Sequence, residues 1–239
     1  MNKKESVVLQ KYFSMCSVMS RRKSEEFILQ GKVKINGKTA KLGDRVNPSK
    51  DKVTLNEKEI VLISEKKYYI MLNKPRGFVT TMSDEHGRKC VADLVKDIPA
   101  RIYPVGRLDK DSEGLLLMTN DGDFANTVIH PSKNIRKTYL TTVRPNITDD
   151  QLTKLCTGIE IDGFKTQPAI INVLYQTDDK ACLEISIKEG RNRQIRKMCE
   201  QVGLKVIRLK RISIGTLKLG TLKPGKWRNL SESEIKLFV

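Results

Sequence analysis

Pro104-Val105-Gly106-Arg107-Leu108-Asp109-Lys110-Asp111-Ser112-Glu113-Gly114-Leu115-Leu116-Leu117-Met118 packs three carboxylates into five residues and follows them with an unbroken apolar run. Gly106 and Gly114 bracket the acidic part, so the stretch reads as a loop feeding a buried strand. A buried strand holds its end rigidly, which is how a side chain is aimed into a pocket. Taken alone, the acidic turn has two bland readings. One is a solvated loop; the other is the start of a calcium loop through Asp109-x-Asp111-x-Glu113-Gly114. A calcium loop of that type needs a bidentate Glu at its twelfth position and a helix after it. Here the twelfth position is Asn120, Lys110 interposes a positive charge, and a strand pattern follows, which disfavours calcium.

A length of 239 residues suits one large domain or two modest ones. Lys and Arg number 45 against 28 Asp and Glu, a net charge of +17. Such an excess implies a polyanionic partner, nucleic acid ahead of an anionic membrane. No apolar run approaches the ~18 residues of a membrane span, and no secretory pattern follows the start. The expectation is a soluble, cytoplasmic protein. Five cysteines (Cys16, Cys90, Cys156, Cys182, Cys199) are scattered without a C-x-x-C, and His86 and His130 lie far from any cysteine cluster. That pattern argues against a zinc site or a disulfide framework and for a reducing compartment.

Working outward toward the start, residues 1–63 read as a small module. Val7, Val8, Tyr12 and Phe13 suggest a short helix. Ser20 caps a second one, with Arg21, Arg22 and Lys23 on its first turn, Phe27, Ile28 and Leu29 inside, and Gly31 as its stop. Val33-Lys34-Ile35 alternates, Asn36-Gly37 is a two-residue hairpin signal, and Val53-Thr54-Leu55 and Ile60-Val61-Leu62 supply further strands. Cations at a helix N-terminus oppose its dipole, a cost that a bound phosphate would offset. The bland alternative is a solvated charge run. Gly31 with Gly37-Lys38-Thr39 imitates a nucleotide-binding P-loop, but five residues separate the glycines where that motif has four, and Val-Lys-Ile between them is strand-like.

Ser64-Glu65-Lys66-Lys67 reads as a linker into a second domain, 64–239. Tyr68 to Leu72 reads as a strand ending in Asn73-Lys74-Pro75-Arg76-Gly77, and Val91 to Asp97 as a helix. Asp121-Gly122-Asp123 opens a helix ending near His130-Pro131, and Arg136 to Val143 alternates as a strand carrying Lys137-x-Tyr139. A helix over Ile147 to Cys156 and strands over Pro168 to Tyr175 and Ala181 to Lys188 come next. From Arg191 a helix is expected to Gly203, burying Ile195, Met198, Cys199 and Val202 and placing Asn192 and Arg196 on one face. Val206 to Ile214 and Thr216 to Leu222 read as strands, and Ser231-x-x-Glu234 as a capping box.

Three of these segments resemble a known family. Gly106-Arg107-Leu108-Asp109 with the Gly-Leu-Leu-Leu-Met-Thr-Asn-Asp-Gly after it, Lys137-x-Tyr139, and Gly190-Arg-Asn-Arg-Gln-Ile-Arg196-Lys197 resemble the successive signatures of ribosomal RNA pseudouridine synthases, in the branch typified by RsuA and RluB. Asn73-Lys74-Pro75-x-Gly77 resembles that domain's opening motif. Ser20-Arg-Arg-x-x-Glu-x-x-Ile-x-x-Gly-x-Val-x-Ile-Asn-Gly37 resembles an S-four-type RNA-binding domain. The resemblance implies an α+β chain: a small RNA-binding domain, then a catalytic domain with a mixed, mainly antiparallel sheet and flanking helices. It implies that Asp109 is catalytic, that Tyr139 lies against the target base, that Arg196 pairs with Asp109, and that Arg107 fills the space a flipped base leaves.

Isomerising uridine moves the glycosidic bond from N1 to carbon 5 with nothing oxidised and no atom gained, so neither cofactor nor metal is expected. The expected partner is ribosomal RNA or a ribosomal subunit precursor, large subunit ahead of small, bound by a monomer through Arg21, Arg22, Lys23, Lys74, Arg107, Arg191, Asn192 and Arg193. A non-catalytic ribosome-binding protein and a metal-dependent nuclease using Asp109, Asp111 and Glu113 are the rival readings.

Overall fold

The computed structural model describes residues 6–62 and 66–238, and the chain divides into two compact units, Met1–Lys66 and Lys67–Val239. The expected boundary after residue 63, with Ser64 and Glu65 of the linker, lies outside the described residues.

In the first unit β1 (Val7–Val8) runs into α1 (Leu9–Met15), and α2 (Arg21–Leu29) follows. Val7 and Val8 thus pair as a strand instead of starting the helix, their partners being Val46 and Arg45 of β4 (Arg45–Val46). Ser20 Oγ accepts from Lys23 N at 3.2 Å, the cap its sequence position calls for. The strands β2 (Val33–Ile35), β3 (Lys38–Thr39), β5 (Val53–Leu55) and β6 (Lys58–Ile60) form an antiparallel sheet in the order β3-β2-β5-β6. Asn36 and Gly37 turn β2 into β3, both at positive φ, where glycine has no Cβ to clash and asparagine is tolerated. Leu9, Phe13, Ile28, Val33 and Val53 form the core, and Leu29, expected inside, is exposed.

The second unit is built on one large sheet, ordered β13-β14-β10-β15-β9-β7-β17. Its strands are β7 (Tyr69–Lys74), β8 (Tyr103–Val105), β9 (Glu113–Thr119), β10 (Lys137–Arg144), β13 (Ile170–Gln176), β14 (Ala181–Ile187), β15 (Lys205–Ile214), β16 (Leu217–Lys218) and β17 (Trp227–Asn229). A short hairpin, β11 (Glu160–Ile161) and β12 (Phe164–Lys165), stands apart. Among the described strands of the large sheet only β9 and β15 pair in parallel. Helices α3 (Gly122–Ile129) and α6 (Glu232–Lys236) cover one face, and α4 (Asp149–Thr157) and α5 (Gln194–Gln201) the other.

This two-sided cover is why residues 115–118 are uniformly apolar. Leu116 and Met118 pack into the cluster under α4 and α5, Leu115 and Leu117 into the cluster under α3. A strand buried on both faces has no polar alternation, and each such side chain contributes about 1.5–3 kcal/mol on burial. Gly114, at φ +105, lies where β9 meets β15. A Cβ there would stand 2.2 Å from the Arg211 carbonyl oxygen, so only glycine permits the approach.

Three expected elements differ. Val91–Leu94 is a single 3-10 turn, β16 spans only two residues of the expected 216–222 strand, and α5 starts at Gln194. Arg193 takes a left-handed conformation (φ 50) at the N-cap, and Gln194 Oε1 accepts from Arg191 N at 3.0 Å. Arg191 and Asn192 therefore lie in a loop, and Asn192 shares no helical face with Arg196. The capping box of Ser231 and Glu234 forms as expected.

Candidate active site

The acidic loop between β8 and β9 is held by its own backbone. Every carbonyl from Leu108 to Ser112 accepts a hydrogen bond. Thr80 Oγ1 donates to Leu108 O (2.6 Å), Ser112 N to Asp109 O (3.0 Å) and Gly77 N to Lys110 O (2.8 Å). Arg196 Nη2 donates to Asp111 O (3.1 Å) and Lys74 Nζ to Ser112 O (2.7 Å). Five consecutive carbonyls, four of them held by Lys74, Gly77, Thr80 and Arg196 and one by the loop's own Ser112, leave the Asp109 side chain little freedom in where it points.

It points into a cavity of about 800 Å³. Asp109 and Tyr139 both line it; Asp109 is half-buried and Tyr139 is buried. Seven Lys or Arg residues line the cavity against two acids, Asp109 and Glu189. Arg107, Arg191, Asn192 and Arg193 are exposed at its rim. Arg191 is tethered there, its Nε 3.4 Å from Glu189 Oε2 and its guanidinium 4.5 Å over the Phe164 ring. Glu189 in turn accepts from Gln194 Nε2 (2.7 Å) and Gln167 N (2.9 Å).

Arg196 and Lys74 lie outside this lining. Arg196 makes no ion pair with Asp109 among the described residues: its hydrogen bonds run to the carbonyls of Asp111 and Val206. Burial lowers its pKa, with Arg193 adding to the shift, while Asp109 and Asp111 act the other way. Its influence on Asp109 is thus by field and by fixing the loop, not by direct contact. Lys74, expected to grip RNA, is fully buried and donates to Ser112 O and Pro75 O. Burial pulls its pKa from 10.5 down to about 8, against the opposing fields of Asp109, Asp111 and Glu113. A side chain sealed under the loop cannot reach a phosphate, so its part is to hold the loop.

The three acids are not gathered into one group. Asp111 is exposed, and Glu113 is turned to Arg208, which donates to it at 2.5 Å. Arg21, Arg22 and Lys23 are exposed on the first unit. Thr80, Glu189, Gln194 and Arg211 are site residues that were not expected. Only Arg211 carries a sequence signal, being a cation at the same strand parity as Leu209 and Ser213, where a buried side chain is due.

Residues 68–201 match the family model described as RNA pseudouridylate synthase, and residues 18–53 that of the S4 domain. The chain is 44% identical over 231 residues to ribosomal large subunit pseudouridine synthase B of Bacillus subtilis, covering 95% of this chain and 93% of that one. It is 38% identical over 231 residues to the dual-specificity RNA pseudouridine synthase RluF of Escherichia coli, covering 96% and 77%. A crystal structure of a pseudouridylate synthase superimposes with a TM-score of 0.71 at 30% identity, over 98% of this chain and all of that one.

Proposed function

Because the chain belongs to the RNA pseudouridylate synthase family, we propose that it isomerises a uridine of ribosomal RNA, in the large subunit, with Asp109 as the nucleophile. Residues 1–63 act as the RNA-gripping module and residues 64–239 as the catalytic one. One observation carries this reading: a carboxylate on a loop whose carbonyls from Leu108 to Ser112 are all fixed shares a cation-lined cavity with Tyr139. The name of the Bacillus relative supports the choice of subunit.

The uridine leaves its stack at a cost of a few kcal/mol. Exposed Arg107, Arg191 and Arg193 offset that cost by holding the flanking phosphates, with Arg21, Arg22 and Lys23 gripping RNA elsewhere. The base lies against Tyr139. Asp109 bonds transiently to the nucleotide as the N1–C1′ bond breaks. Carbon 5 of the uracil then bonds to C1′ and loses its proton, N1 gains one, and the carboxylate is released. Composition is unchanged throughout.

The test is a map of pseudouridine in both ribosomal RNAs from cells with and without the protein. One large-subunit site is expected to disappear with the protein and return with the wild-type chain. Identical maps would overturn the reading.

A further inference from the structure

Arg211 differs from every other cation of the cavity. It is only 5% exposed and yet belongs to the lining. Its Nε donates to Leu115 O at 2.7 Å, while its Nη2 is buried with no partner among the described residues. Leaving a buried donor unpaired costs about 1–3 kcal/mol, more where the group is charged. Lys137, also in the lining, has its pKa lowered by burial first and by Arg211 second, so two cations share this floor. The Arg211 Nη2 therefore has no acceptor among the described residues, and an oxygen with negative character would supply one.

Two oxygens of the substrate qualify, a phosphate oxygen and a carbonyl of the base, and position decides between them. Phosphates stay at the rim, where Arg107, Arg191 and Arg193 are exposed. Arg211 is the register partner of Tyr139 across β10 and β15, so the two side chains leave the same face of the sheet, and both line the cavity. Resting on the reading that Asp109 isomerises uridine, we propose that Arg211 is a further catalytic residue, donating its free Nη2–H to a carbonyl oxygen of the target uracil. When N1–C1′ breaks, the electron pair stays on the ring and spreads into its carbonyls. The hydrogen bond from Arg211 strengthens as that charge gathers, and weakens again when carbon 5 takes C1′ and the ring returns to neutral. A donor already in place at a developing oxyanion is the arrangement that accelerates a reaction.

A purely structural Arg211, stapling β15 to Leu115, makes a different prediction, so sulfur substitution separates the two. The probe is a stem–loop RNA carrying the mapped uridine, made also with 2-thiouridine or 4-thiouridine at that position, sulfur being a poor acceptor. Single-turnover rates are measured for the wild type, Arg211→Gln and Arg211→Lys. The wild type is expected to slow about 10-fold with one of the two thiouridines. Arg211→Gln should be about 10²-fold slower on the unmodified RNA, bind it with little change, and show no further slowing with that thiouridine. Arg211→Lys should fall between. A wild type indifferent to both sulfur substitutions overturns the proposal even if neither variant folds, and so does a folded variant that responds to them as the wild type does. In either case the Asp109 reading stands, since the wild type still acts on unmodified RNA. A wild type inactive on that RNA would overturn both.

Discussion

The chain has two arginine-rich segments that look alike in sequence and behave as opposites in structure. Arg21, Arg22 and Lys23 all stand exposed on the first turn of α2, with only Ser20 capping the helix. In the second segment Arg191 is held by Glu189 and Phe164, and Gln194 ties the loop together. Arg196 there is half-buried on two carbonyls, one of them in the Asp109 loop. Solvated cations hold a polyanion without fixing where it sits. Fixed cations give up solvation and in return set the position of something else. On the proposed reading the first segment is a grip, while in the second Arg196 belongs to a frame and Arg191 and Arg193 stay exposed at the rim.

The comparison breaks most visibly at Arg196. Arg196→Ala frees the Asp111 carbonyl and removes the field on Asp109, and should lower the single-turnover rate by about 10³-fold with little change in RNA affinity. Arg196→Lys, which keeps the charge but not the fork, should recover part of the rate. A normal rate in Arg196→Ala would dissolve the distinction between frame and grip.

Lys74 sharpens it next, as a frame residue with no access to RNA. Lys74→Met should lower the rate by about 10²-fold, because the loop shifts when Ser112 O loses its donor. Lys74 also carries a pH signature. Its folded pKa of about 8 lies below the unfolded value of 10.5, so between these the unfolded chain binds more protons and the folded state gains stability as pH rises. That gain amounts to about 3 kcal/mol over the window. Chemical denaturation between pH 7 and 10 should therefore show a rising component in the wild type that is missing from Lys74→Met.

The smallest effect on chemistry is expected at the grip. Replacing Arg21, Arg22 and Lys23 together by Ala should leave the rate at saturating RNA unchanged. It should weaken binding and lower the slope of log affinity against log salt by about 2–3. A lower rate at saturation would mean that these residues position the substrate as well as hold it.

How much of this was legible beforehand follows the same division. The strand at 115–118, the Ser20 cap, the Asn36-Gly37 turn and the Ser231–Glu234 box depend on residues close in sequence, and each formed as read. The candidate site was legible only where a motif named it. Lys74 read as an RNA-gripping cation because Lys is almost never fully buried unless paired. It is held instead by the Ser112 carbonyl 38 residues away in the chain, which no local pattern reveals. The early end of the helical reading at Arg191 failed for a similar reason. The Gln194 side chain folds back on Arg191 N, and Arg193 turns left-handed, so the basic run becomes a loop.

The central claim is that the Asp109 carboxylate, and not the surrounding charge, carries the reaction. Asp109→Asn keeps size and shape and removes only the anion. In a single-turnover assay on the mapped stem–loop RNA, the account predicts no pseudouridine from Asp109→Asn, with RNA affinity within about threefold of the wild type. Pseudouridine formed by Asp109→Asn at the wild-type rate would contradict it.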